Sequence, residues 1–211
     1  MTKVKICGLM ESVHVKAAVE AGADAIGFVF AESSRRVSIN EARELARAIP
    51  DNVMKIGVFV DATKEEIERT YNEVPLDFIQ FHGNETPEFI ESIGLPSINA
   101  LSVRSVEDVE KAARYQTDYY LFDAPGTVYK GGSGVTFDWE LLKGSGIRAE
   151  RLILAGGLNA ENVGEAIRRV NPFMVDVSSG VERDKRKDEA LIHEFVRAVK
   201  DEGEISNGER T

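Results

Sequence analysis

Short apolar runs alternate with amphipathic stretches along nearly the whole chain. Lys3–Cys7 (KVKIC), Ala25–Phe30, Lys55–Val60, Asp77–Phe81, Ser97–Leu101, Asp118–Phe122, Arg151–Ala155 and Phe173–Val177 read as strands. Each is followed by a segment with helical spacing: Met10–Ala21, Asn40–Ile49, Lys64–Glu73, Thr86–Ile93, Val106–Tyr115, Phe137–Lys143, Ala160–Val170 and Glu189–Lys200. Punctuation agrees with these limits. Gly22 is placed to cap the first helix, Thr63 to open the third, and Pro50 and Asn171-Pro172 to stop two others. From Asp201 to Thr211 the apolar pattern is lost, so a disordered tail is expected after a domain of residues 1–200.

Alternation of this kind demands right-handed crossovers and a parallel sheet. Open doubly wound sheets use the same units, but usually fewer of them. Eight units with a helix for every strand close into a barrel. The expected fold is α/β, a single-domain (β/α)₈ TIM barrel.

Composition narrows the partners. The chain has 211 residues, 43% of them hydrophobic, enough to bury a full core. A formal charge of −10 speaks against general affinity for nucleic acid or an anionic membrane. It leaves room for a small phosphorylated molecule, which backbone N–H groups and one or two arginines can hold. The single cysteine forbids an internal disulfide, and neither a membrane span nor a signal peptide is visible. A cytoplasmic protein, monomer or homodimer, is expected.

A barrel places its site at the C-terminal strand ends. Asp123 closes the sixth strand, just before Ala124-Pro125-Gly126 and the glycine-rich Gly131-Gly132-Ser133-Gly134. It reads either as a catalytic acid or as a turn cap. Strand alternation turns Lys5 and Cys7, Gln80 and His82, and Asp176 inward, and Lys5 is expected to pair with Asp176. Cys7 is either a small buried apolar residue or, at a strand end beside Gly8 and a lysine, a reactive thiolate. His82 is either a satisfied core histidine or a site residue, while His14 and His193 are expected to be solvated. No spacing of ligands suggests a metal. Gly156-Gly157 after the seventh strand and Ser179-Gly180 after the eighth form two small-residue loops where barrels commonly hold a phosphate. Arg35-Arg36 follows the second strand, as a solvated pair or as a fork for a carboxylate.

Taken together, KICG, GFVF…SSRRVS, QFHG, LFDAPG…GGSGVTFDW, LAGGLN…NV and VDVSSGVE resemble the N-(5′-phosphoribosyl)anthranilate isomerases, from Lys3 to about Phe195. The resemblance implies an Amadori rearrangement in tryptophan biosynthesis, with no cofactor. It matches Cys7 to the general base, Asp123 to the general acid, Arg36 to the holder of the anthranilate carboxylate and His82 to a substrate-positioning residue. The base then needs a lowered pKa, and the acid a raised one under the Gly131–Gly134 loop. Met10 departs from the family's usual threonine, and RDKRKDEA after Glu182 lacks its proline–glycine turn.

Two other readings stand beside this one. Another sugar-phosphate barrel would need a catalytic lysine at the mouth, where Cys7 stands, or metal ligands on facing strands. A phosphate-binding sensor explains the two loops but not Cys7 and Asp123 together.

Overall fold

A computed structural model describes residues 1–124, 138–143 and 146–208. Its eight main strands close into a parallel barrel in chain order: β1 (Lys3–Cys7), β2 (Ala25–Val29), β3 (Met54–Phe59), β4 (Phe78–Phe81), β5 (Ser97–Ser102), β6 (Tyr119–Asp123), β7 (Leu152–Leu154) and β8 (Met174–Val177). The seam is the β1–β8 ladder, in which Lys5 stands opposite Asp176.

Two apolar layers follow from strand alternation. Ala25, Ile56, Ile98, Leu121, Ile153 and Met174 fill the barrel. Val4, Ile6, Ile79, Phe81, Phe122 and Val175 face outward into the larger core beneath the helices. Those helices are α1 (Ser12–Ala21), α2 (Ile39–Ala46), α3 (Lys64–Glu73), α4 (Pro87–Ile93), α5 (Val106–Glu110), α6 (Val163–Val170) and α7 (Glu189–Gly208). Their ends obey local chemistry. Gly22 caps α1 in the left-handed region (φ 89°), and Thr63 opens α3 through a capping box with Glu66. The N-cap of α1 is Glu11, whose side chain makes no capping bond, beside Met10, which packs on the core instead.

Three expectations are corrected. The helix expected over Phe137–Lys143 is a single 3₁₀ turn, Trp139–Leu142, opened by the Asp138 carboxylate accepting from Glu140 N–H at 3.0 Å. Burying Trp139 and Leu142 needs only that turn, and Gly144 follows just after Lys143. The last helix does not end at Lys200 but runs to Gly208. Glu202 is buried there in an ion pair with Arg168 of α6, and Gly203 packs on Met1, so polar contacts extend a helix that apolar spacing does not reveal. His14 is not solvated: it is buried in α1, 3.7 Å from Glu11.

Candidate active site

One cavity opens at the C-terminal end of the barrel. Cys7, His82 and Asp123 line it from three strand ends, and Gly156, Gly157, Ser179 and Gly180 line it from two loops. Among the described residues, no group of three or more histidine, cysteine or acidic side chains is placed to hold a metal. No described helix is long and apolar enough to cross a membrane.

Beneath the cavity lies a chain of polar contacts. The buried Lys5 Nζ donates to Asp176 Oδ2 at 2.8 Å and to Gln80 Oε1 at 2.9 Å. Gln80 Nε2 lies 3.0 Å from His82 Nδ1, and His82 Nε2 lies 3.5 Å from Asp123 Oδ2. Asp176 also lines the cavity, and its buried Oδ1 has no hydrogen-bond partner among the described residues. Burial alone would lower the pKa of Lys5, but Asp176 and then Cys7 more than offset it, and Lys5 is held above its ordinary value.

Cys7 is partly buried at the end of β1. Its sulfur has room because β2 carries glycine at position 27: a Cβ there would stand 2.8 Å from Cys7 Sγ and 3.2 Å from Lys5 Cε. Gly8, next along the chain, admits a close neighbour. Its φ of 77° suits glycine, and a Cβ would meet Arg35 Cδ at 2.7 Å, so the group that comes close is Arg35.

The two small-residue loops meet as expected. A Cβ on Gly180 would collide with the carbonyl oxygen of Leu158, and one on Gly156 with the backbone nitrogen of Ala124. Only glycine lets the loops after β7 and β8 approach this closely. The N–H groups of Gly156 and Gly157 find no partner among the described residues. Helix α6 begins only at Val163, after an Asn159–Asn162 turn, so its N-terminus is not at Gly156-Gly157. The 3₁₀ turn Ser179–Val181 starts at the cavity instead.

Comparison with known proteins decides the family. The family model of N-(5′-phosphoribosyl)anthranilate (PRA) isomerase matches residues 4–198. The chain belongs to the N-(5′-phosphoribosyl)anthranilate isomerase family. An N-(5′-phosphoribosyl)anthranilate isomerase of Listeria welshimeri is 48% identical over 197 residues, covering 93% of this chain and 98% of that protein. The crystal structure of the Thermotoga maritima phosphoribosyl anthranilate isomerase superposes with a TM-score of 0.87 at 39% identity, over 95% of this chain and all (100%) of that one. A second isomerase structure, in complex with reduced 1-(o-carboxyphenylamino)-1-deoxyribulose 5-phosphate, gives 0.84 at 38% identity over 95% and 100%.

Within this isomerase, not every expected residue sits at the mouth. Arg36 is exposed and lines a neighbouring cavity, which shares Ala31, Glu32 and Val60 with the first. Its guanidinium has no hydrogen bond or ion pair among the described residues. Arg35 lines the mouth, but Glu182 holds it through two bonds of 2.7 Å. Gly131, Gly132, Ser133 and Gly134 lie outside the described residues.

The expected lowered pKa of Cys7 is corrected. Burial pushes the thiol above its ordinary value, against the pull of Lys5, and Asp176 adds to the rise while Lys187 opposes it. Sequence reasoning gave Lys187 no role, because it stands in the charged run after Glu182. It is buried on a two-strand hairpin, β9 (Glu182–Arg183) and β10 (Arg186–Lys187). Its Nζ donates to Glu182 Oε1 at 2.6 Å, to Ser178 O at 2.8 Å and to Ser178 Oγ at 3.1 Å. Ser178 Oγ in turn donates to the Cys7 carbonyl at 3.2 Å. The signal for Lys187 is its alternation on the strand with the exposed Arg186, legible only once the hairpin is known.

Proposed function

We propose that this cavity converts N-(5′-phosphoribosyl)anthranilate into 1-(2-carboxyphenylamino)-1-deoxyribulose 5-phosphate, with Cys7 as general base and Asp123 as general acid. The observation that carries the reading is one cavity lined by both groups and by the two glycine loops. Asp123 protonates the furanose ring oxygen, and the bond from that oxygen to C1 breaks. The anthranilate nitrogen supplies the electrons, giving a protonated Schiff base at C1. Cys7 then takes the proton from C2, and the released pair forms the C1–C2 double bond of an enolamine. Loss of the C2 hydroxyl proton and gain of a proton at C1 complete the ketose. Oxidation at C2 balances reduction at C1, so no external oxidant or cofactor is consumed.

Cys7 must be a thiolate, its own proton already lost to solvent, before it can take the C2 proton, and its raised pKa opposes that in the free site. Ring opening creates a cation in the cavity that holds the thiol, and a neighbouring cation favours the thiolate. The N–H groups of Gly156 and Gly157, which have no partner among the described residues, suit the 5′-phosphate together with the Ser179-Gly180 turn. Arg36 is assigned to the anthranilate carboxylate, because its guanidinium is unengaged among the described residues whereas Arg35 is bound to Glu182. His82 is assigned to positioning. The single cysteine suits a reducing cytoplasm.

The fall of substrate fluorescence on isomerisation tests the base. Cys7→Ser should lose about 10² or more in kcat while the fold is kept, since a hydroxyl is a poor base. A variant as active as the parent would remove Cys7 from the mechanism.

A further inference from the structure

Gln80 lies between the buried ion pair and the proposed acid, and neither the ion pair nor the acid explains why an amide stands there. We infer that Gln80 is a positioning residue, which fixes His82 as its Nε2–H tautomer and aims that N–H at Asp123. The inference rests on the reading of Asp123 as the acid and adds the group that orients it.

Lys5 Nζ is an ammonium held by Asp176, and an ammonium only donates. Its 2.9 Å partner on Gln80 must therefore be the amide oxygen. That leaves the Gln80 NH₂ facing His82 Nδ1 at 3.0 Å, and an NH₂ group offers only donors. Nδ1 must then accept, so a neutral ring carries its proton on Nε2. Nε2 is the nitrogen 3.5 Å from Asp123 Oδ2. Gln80 and His82 can act together because they are two residues apart at the end of β4, on the inward face.

The consequence is chemical. Once Asp123 has given up its proton, its carboxylate finds an N–H already oriented toward it. An amide is needed at position 80 because it alone among the side chains offers a fixed acceptor to Lys5 and a fixed donor to His82. A glutamate would accept from both neighbours and would draw the His82 proton to Nδ1.

Long-range ¹H–¹⁵N spectra of the ligand-free, histidine-labelled protein read the tautomer directly, with His82→Asn assigning the signal among three histidines. The parent should show His82 protonated at Nε2 and bare at Nδ1. Gln80→Glu, nearly isosteric, should show a protonated Nδ1. Its kcat should fall about tenfold or more, with the Kd of the reduced product analogue changed less than about threefold. A parent ring protonated at Nδ1 overturns the inference, whether or not the variant folds. So does a variant with the parent's ring pattern, or one whose ring changes while kcat does not. The spectra need no turnover, so failure of Asp123 as the acid would be seen separately, in the kinetics of Asp123→Asn.

Discussion

Lys5 Nζ and Asp176 Oδ2 stand 2.8 Å apart across the β1–β8 ladder, where the last strand of the barrel meets the first. Both side chains are almost fully removed from water, at 0% and 8% exposure. Removing one partner leaves the other buried without its counter-charge. Lys5→Met should therefore destabilise the protein by about 3 kcal/mol or more in urea unfolding. Adding Asp176→Leu should restore part of that loss, because neither charge then remains inside. An unchanged unfolding midpoint in the single variant would contradict the pairing.

The titration of Cys7 has a defined sign. Only the thiolate reacts with iodoacetamide, and a raised pKa moves its formation to higher pH. The ligand-free protein should thus be alkylated half-maximally above the ordinary thiol range, and Cys7 is the only thiol to label. Lys187→Met removes a cation that pulls the value down, so its midpoint should lie higher still. A midpoint below that of a free thiol would show that the lysines outweigh burial.

The paired loops make a geometric prediction. Gly180→Ala would force the loop after β8 away from the carbonyl oxygen of Leu158. Affinity for inorganic phosphate and for substrate should fall about tenfold or more, the loss expected when charge-assisted N–H contacts are misaligned. Phosphate affinity equal to the parent's would place the anion elsewhere.

What could be read from the chain follows from which forces leave a periodic trace. Apolar alternation marks every barrel strand, so the inward direction of Lys5, Gln80 and Asp176 and the Lys5–Asp176 pair were all visible. Strand-end position singled out Cys7, His82 and Asp123 in the same way. Contacts between distant polar groups leave no such trace. Arg168 holding Glu202, Lys187 beneath Ser178 and Glu182 gripping Arg35 emerged only from the fold. Gly27 is a related case: it reads as an unremarkable strand residue until the Cys7 sulfur is found where its side chain would be.

Asp123→Asn separates proton delivery by this carboxyl from its part in binding. The amide is nearly isosteric and still donates a hydrogen bond, but it has no proton to give to the ring oxygen. Turnover by substrate fluorescence and the Kd of reduced 1-(o-carboxyphenylamino)-1-deoxyribulose 5-phosphate should be measured on the same preparation. If Asp123 is the acid, kcat should collapse by about 10² or more with the Kd nearly unchanged. Normal turnover, or a loss explained wholly by failure to bind the analogue, would contradict it and leave Asp123 as a residue that shapes the turn.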